Sequence, residues 1–584
     1  MTVSTAPAPA DSGSLPHVGH HPPARSPLRP VLRNSSGRLG WYIVAALIAF
    51  IVIAPVLRYY SMAFENGAEA IRSIADIPRI GPTIINTVVL AAGSTAMAVV
   101  LALALAKAVL HVPRRWRRVA SLVPMLPLVI PASAAVIGYV FIFSPSVGYG
   151  NVLLRHLPFL SGMEEGPINV YSMPAMIVIT GLDLTGIIFT LVYARLQEIR
   201  GPLEAAAHLA GASGWKSFTT ITLPLLRPSL IAGIVVAFLL GLGQFTVPLL
   251  LGARTGIDVI TTEIFRTRED YPIDYALTAA LGLPLLIVGL LSIVLQRVAT
   301  GDQRRYITQS GAGGQVSEKT SIWALVLVLA YGTVAVLLPL LAIVLVAFSP
   351  FWNGDLASTT FTLEHVKAGF SDPAVVSSVL TSAGTALTAV LIALPLGFIA
   401  ALAMTGPFRA PRIAQYFLDA SFLAPLAVPR AILGLIVLFV FLQPPFNLYG
   451  TYALFVVGYV FIALPFSLRA QHGSLVGVHP SLFEAAQISG AGRWRTIFEI
   501  ALPLTRAGMA AAATMMMVIL THDFAVSIMV RSPGNNVMGT LLYEYWDNGV
   551  YPQVAVMALV MSMVTALGLG ATILVGGRSA LERI

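Results

Sequence analysis

Twelve separate runs of mostly apolar residues dominate this chain, near 41–62, 83–110, 119–144, 173–195, 229–251, 275–298, 322–348, 375–404, 416–442, 450–469, 508–530 and 553–577. A bilayer demands helices of about 20 such residues, because hydrocarbon offers no partner to an open backbone N–H or C=O. Only 10% of the 584 residues are charged, and the mean hydropathy is +0.83. A soluble protein of this length needs more charge to cover its surface, so lipid is expected as the main solvent. The expected fold class is an all-α polytopic membrane protein with about 12 transmembrane helices. There is no cysteine, which removes disulfides, thiolate metal sites and thiol nucleophiles.

Basic residues set the expected orientation. Most of the 35 lysines and arginines fall in alternate connections, with Arg114, Arg115, Arg117 and Arg118 as the densest cluster. Those connections and both termini are expected in the cytoplasm. The net charge of +9 is then a topology signal, and no nucleic-acid partner is expected. Residues 1–39 are rich in Pro, Ala, Ser and His and contain no apolar run. They read as a disordered cytoplasmic tail, with His17, His20 and His21 as part of a solvated low-complexity stretch rather than a metal site. The polar, glycine-containing stretch 299–320 reads as a cytoplasmic linker between a first unit, 40–298, and a second, 321–584.

The two units repeat one another. PLVIP at 127–131 answers PLAVP at 425–429, each opening the outer part of a third span, and AAGSTA at 91–96 answers SAGTAL at 382–387. Tyr271-Pro272 and Tyr551-Pro552 follow the fifth span of each unit. An even number of spans per unit gives both the same orientation. A pseudo-two-fold axis along the membrane normal is therefore expected, with a passage at the interface.

The most informative match lies between the fourth and fifth spans. EAAAHLAGASGWKSFTTITLPLLRPSL begins at Glu204, and EAAQISGAGRWRTIFEIALPLTRAGM begins at Glu484. Aligned without gaps, Ala206, Ala207, Gly211, Trp215 and Pro224 equal Ala485, Ala486, Gly490, Trp494 and Pro503. Alanine favours a short helix with a small-residue face, and the glycine is placed to end it in a left-handed conformation. Trp215 and Trp494, beside basic residues, suit a membrane–water boundary. Leu-Pro is then expected to break the helix before the next span. A mere connector does not need the same alanines and glycine twice, which favours a docking element.

This pattern resembles the EAA…G…I-LP signature of permease subunits of binding-protein-dependent ABC importers. The resemblance covers the chain from about residue 40 and implies two tandem six-helix units of the type I, MetI-like kind. It also implies that Glu204, Ala205, Ala206, Ala207, Gly211 and Trp215, with Glu484, Ala485, Ala486, Gly490 and Trp494, form coupling segments for two copies of an ABC ATPase. The first copy departs from the signature, since Ala205 stands where the signature Glu belongs and Glu204 precedes it. An extracytoplasmic solute-binding protein is the further implied partner, and the inner membrane of a bacterium the implied location. ATP belongs on the partner ATPase, and no cofactor is expected on this chain. With GQFTVPLLLG at 243–252 and HDFAVSIMV at 522–530, the fused chain looks most like the iron(III) permeases. Thiamine, polyamine and aminoalkylphosphonate permeases share the architecture, so the substrate rests on analogy.

Polar residues within apolar runs are candidate pathway positions, because charge in lipid is costly. These are Gln244, His522, Asp523, Asp183 and Arg430, with Asp419 near them in kind. For each one singly, an inter-helical hydrogen bond or a span-end position competes with that role. The repeat sets Gln244 opposite Asp523, which predicts convergence on the pseudo-two-fold axis, with Asp523 as a cation contact and Arg430 as its partner. No catalytic set, cofactor motif or metal-ligating cluster is legible. The sequence has no G-x-x-x-x-G-K-[ST] loop with which to power itself. The rival from a different class is an ion-coupled twelve-helix secondary transporter, which would need no partner.

Overall fold

A computed structural model of the protein describes residues 35–199, 207, 209–300 and 320–576. Most of the tail expected at 1–39 and of the linker at 299–320 lies outside the described residues. The first unit contains α1 (Ser35–Ser61), α2 (Ile80–His111), α3 (Arg114–Leu122), α4 (Ala132–Phe143), α5 (Met173–Ile199), α6 (Leu223–Leu242), α7 (Ile260–Glu269) and α8 (Tyr275–Thr300). The second contains α9 (Ile322–Gly332), α10 (Leu338–Ala347), α11 (Pro373–Met404), α12 (Arg412–Ala427), α13 (Arg430–Leu442), α14 (Tyr452–Val476), α15 (Pro480–Ile488), α16 (Leu502–Thr521), α17 (Met538–Asp547) and α18 (Tyr551–Gly576). No strand forms among the described residues beyond one isolated bridge, Ser532 with Asn535.

Among the described residues, ten helical stretches are long and apolar enough to cross a membrane, or twelve if two bent pairs each count as one. Those pairs replace the straight spans expected at 119–144 and 416–442. The chain turns by 92° between 114–128 and α4, and by 111° between α12 and α13. The repeated PLVIP and PLAVP motifs therefore mark breaks rather than the start of an outer half-span. Pro131 and Pro429 cap the helices that follow. The residue before a proline is driven out of the helical region, and Val428 is extended at φ −103° and ψ 128°.

Leu-Pro does the opposite of what its sequence suggests. Residues 214–242 and 493–521 each run as one helix of 29 residues. Just before each Leu-Pro the chain widens into a π turn, at Phe218–Thr222 and Ile497–Ala501. Leu223 N–H then donates to Phe218 O and Leu502 N–H to Ile497 O. A wider turn relieves the clash between a proline ring and the carbonyl four residues back, so the helix continues. The same device joins α9 to α10, where the π turn Thr333–Leu337 precedes Leu338-Pro339. The fifth spans accordingly start earlier than expected and end at Leu242 and Thr521, not at 251 and 530.

Within each unit the closest pairs are α2 with α5 and α11 with α14. Small residues allow that approach, as lipid-embedded helices require: a Cβ on Gly93 would lie 2.9 Å from Ile177, and one on Gly397 would lie 2.1 Å from Ser467. The opening helix of each unit crosses to the other. α1 packs on α12 and α13, and Tyr59 lies edge-on to Phe439 with centroids 6.4 Å apart. α10 packs on α4 so closely that a Cβ on Gly138 would lie 2.4 Å from the Pro339 carbonyl oxygen. Tyr139 donates to Val334 O at 2.9 Å, and Tyr331 donates to Leu182 O at 2.8 Å. Each of the two large apolar clusters consequently draws residues from both units.

The short helices α7 and α17 begin alike. Val259 N–H donates to the Thr262 hydroxyl and Val537 N–H to the Thr540 hydroxyl, each at 3.0 Å. Ile260 N–H is met by the Thr87 hydroxyl of α2, and Met538 N–H by the Ser382 hydroxyl of α11. By these contacts Thr87 is the equivalent of Ser382. The AAGSTA–SAGTAL correspondence, which pairs Ala91 with Ser382, is thus about one helical turn out of register.

Candidate functional site

The described parts of the repeated EAA segments are largely exposed. Glu204, Ala205 and Ala206 lie outside the described residues, while Ala207, Gly211 and Trp215 lie within them. In the second copy Phe483 and Ala486 are buried and seat α15 on its own unit, with Phe483 edge-on to Phe408 at 6.1 Å. The helix closes with paired bonds: Ala491 N–H to Ala486 O at 2.9 Å and Gly490 N–H to Gln487 O at 3.0 Å. This is the Schellman closure, and it holds Gly490 at φ +75°. The first copy repeats it, with Gly211 at φ +82° and Ala212 N–H to Ala207 O at 2.9 Å.

Glu484 and Ala485 stay exposed, and the apolar residue two before each glycine is exposed as well. Leu209 is 91% and Ile488 88% accessible, and Trp215 and Trp494 are exposed beside them. Leu209 and Ile488 occupy equivalent places in the gapless alignment, yet the sequence reading did not single them out. The missing signal was the phase of the helix, because with Phe483 and Ala486 seated inward, Ile488 points away from the bundle. An apolar residue presented twice to water marks a surface made for a partner.

Continuous helices of 29 residues lead from these segments to the far end of the bundle. At 1.5 Å per residue each is about 43 Å long, enough to cross the hydrocarbon core. Gln244 and Asp523 therefore lie just beyond the ends of α6 and α16, not in mid-span. They are followed by Phe245 and Phe524, whose rings meet across the two units at 6.0 Å. The residues next to the two predicted positions thus meet across the units.

Asp523 is 3% exposed. Its Oδ2 accepts from Val526 N–H, Ser527 N–H and the Ser527 hydroxyl, each at 3.1 Å, and so caps the turn Ala525–Val530. Its Oδ1 faces Arg430 Nη1 at 3.9 Å, and Arg430 is 43% exposed at the start of α13. Gln244 accepts from Thr261 through its backbone carbonyl at 2.7 Å and lines a small cavity with Asp183, Tyr139 and Ala132. The end of α6 touches the second unit's break, since a Cβ on Gly243 would lie 3.1 Å from Pro429 Cβ. Gln244, Asp523, Arg430 and Asp183 are thus brought together at the interface. His522 turns aside toward α18, with Nδ1 3.5 Å from the Thr565 hydroxyl. Asp419 sits apart, 3.7 Å from Arg469.

Two helical units that exchange their opening helices and meet at a polar seam define a membrane transport permease. Residues 98–305 and 393–577 both match the model of the binding-protein-dependent transport system inner membrane component. The chain belongs to that family and carries its domain twice, as the fused permease of an ABC importer. It is similar to a putative ferric transport system permease of Haemophilus influenzae, 25% identical over 490 residues, covering 80% of this chain and 74% of the relative. A probable ABC transporter permease of Sinorhizobium fredii is 24% identical over 575 residues, covering 93% and 96%. A putative 2-aminoethylphosphonate transport system permease of Salmonella paratyphi A is 26% identical over 238 residues, covering 39% and 85%.

Proposed function

We propose that this permease imports ferric iron, handed over by an extracytoplasmic binding protein and driven by two copies of an ABC ATPase. The observation that carries the importer half of this reading is the double, Schellman-closed EAA segment with its exposed Leu209 and Ile488. ATP-driven closure of the ATPases moves residues 204–214 and 484–492, and the continuous helices behind them carry that motion to the seam. The seam residues Gln244, Asp523, Arg430 and Asp183 line the pathway, and His522 lies behind it. The EAA face and both termini are cytoplasmic. The binding protein docks on the opposite face, against 145–172 and 254–274. Asn151 holds the first of these loops by donating to Phe143 O, Ser144 O and Ile168 O. The permease itself binds no cofactor and hydrolyses nothing.

Similarity to ferric permeases along most of the chain supports iron as the cargo. An aminoalkylphosphonate is the second reading, supported by the relative that matches one unit. The test is a mild-detergent pull-down beside a Gly211→Arg/Gly490→Arg double variant. A P-loop ATPase should accompany the wild type and not the variant. Proteoliposomes with the cognate binding protein should then take up ferric iron on ATP addition, ahead of 2-aminoethylphosphonate, thiamine or polyamine. If no ATPase is recovered and uptake follows an ion gradient alone, the importer reading fails.

A further inference from the structure

Four aromatic side chains meet where the two units touch at the far end of the bundle. Phe265 and Tyr543 stand at the same place in α7 and α17, each the sixth residue of its helix, and Phe245 and Phe524 are equivalent residues past α6 and α16. Within each unit one ring leans on the other, Phe245 on Phe265 at 5.6 Å and Phe524 on Tyr543 at 6.2 Å. Between units the pairs repeat, Phe245 with Phe524 at 6.0 Å and Phe265 with Tyr543 at 6.2 Å. The four side chains form two pairs stacked along the pseudo-two-fold axis, Phe245 with Phe524 and Phe265 with Tyr543, each pair straddling it. Three of the four are buried and Tyr543 is half-buried. Gln244 and Asp523 of the polar seam directly precede Phe245 and Phe524 in the chain.

Two arginines on the turns that follow bridge the units in opposite directions. Arg531 of the second unit reaches Glu269 of the first at 3.1 Å, and its guanidinium lies 5.4 Å from the centre of the Tyr543 ring. Arg268 pairs with that same Glu269 and donates to Arg531 O at 3.2 Å. Arg254 of the first unit donates to the Tyr551 hydroxyl of the second at 2.6 Å, between the Tyr171 and Trp546 rings. Opening a pathway outward along the axis requires these pairs to part, and each arginine that holds the opposite unit adds to the cost of parting them.

Resting on the importer reading, we propose that Phe245, Phe265, Phe524 and Tyr543 form the outer seal of the pathway. The Arg531–Glu269 and Arg254–Tyr551 contacts are latches that hold it shut until a loaded binding protein engages the turns that carry them. The latched state is then the resting, inward-facing one, and weakening a latch shifts the population toward the outward state that closed ATPases accompany. Arg254, Glu269 and Arg531 reach solvent while Phe245, Phe265 and Phe524 are buried, so a docked protein meets the latches before it meets the seal.

The chain's lack of cysteine makes the test direct. In proteoliposomes with the partner ATPase, Glu269→Gln should raise ATP hydrolysis several-fold in the absence of binding protein. An unchanged resting rate overturns the latch. Cross-linking a Glu269→Cys/Arg531→Cys double variant with a short bifunctional methanethiosulfonate, which spans the gap left by the two truncated side chains, should abolish uptake and binding-protein-stimulated hydrolysis together, with both restored by reduction. A fully cross-linked sample that imports at the reduced rate overturns the seal. Failure of the importer reading is recognised separately, because wild type would then recover no ATPase. The cross-link would in that case still have to block uptake under whatever gradient drives it.

Discussion

Gly490→Ala isolates the backbone of the EAA segment from every side-chain effect. A Cβ on Gly490 would meet nothing within 4 Å, so the substitution creates no clash. The cost is the left-handed conformation alone, φ +75°, about 1–2 kcal/mol for an L-residue. That strain lowers the ratio of closed to opened turn by roughly 5- to 30-fold. If docking requires the closed turn, the same factor is the ceiling on lost affinity for the ATPase. Gly492→Ala is the control: its Cβ also meets nothing within 4 Å, but its φ of −68° suits any residue. Gly490→Asn should recover most of the loss, because asparagine tolerates the left-handed region. The assay is a titration of purified permease with its ATPase, read as bound fraction and stimulated hydrolysis. Alanine at 490 should weaken both and alanine at 492 neither, with Gly211→Ala following Gly490→Ala. Equal behaviour of the two alanine variants would refute the argument that the Schellman turn presents the docking surface.

Gly138→Ala should lower the thermal unfolding midpoint, by about 1–3 kcal/mol of overpacking, because its Cβ would lie 2.4 Å from the Pro339 carbonyl oxygen of the other unit. Gly473→Ala, with nothing within 4 Å, should not, and matching midpoints would count against the crossed opening helices. Asp523→Ala should depress transport at limiting substrate, and full activity there would remove Asp523 from the pathway. Ser382→Ala removes the hydroxyl that meets Met538 N–H at 2.8 Å, at a cost of about 0.5–1.5 kcal/mol. Faster hydrogen exchange at the start of α17 should report the loss, and unchanged protection would show that another group satisfies that amide.

Much of the architecture was legible in the sequence because membranes impose coarse rules. Run length gave the helices, and two copies of one 26-residue pattern gave the internal repeat and the EAA segments. The positions of Gly211 and Gly490 gave the left-handed turns. Legibility failed at proline. Pro131 and Pro429 break their spans, whereas Pro224, Pro339 and Pro503 sit in continuous helices behind π turns. Every one of these prolines lacks the same N–H and carries the same ring, and the dipeptides differ only in a β-branched residue, Ile130 or Val428, before the two that break and leucine before the three that do not. The surrounding packing decides which carbonyls find other partners, as Val334 O finds the Tyr139 hydroxyl.

The sequence by itself determined the solvent, the repeat and the equivalence of Gln244 with Asp523, because hydropathy and two-fold repetition are properties of the chain read in one dimension. Tertiary structure alone decided which unit each opening helix packs against, that Ile488 faces water while Phe483 is buried, and that Phe245, Phe265, Phe524 and Tyr543 pair across the units. Those outcomes depend on contacts between residues hundreds of positions apart. In a chain that is mostly apolar, hydropathy cannot tell a lipid-facing side chain from one buried against its neighbour: the bilayer is as apolar as the core, and only close packing distinguishes them.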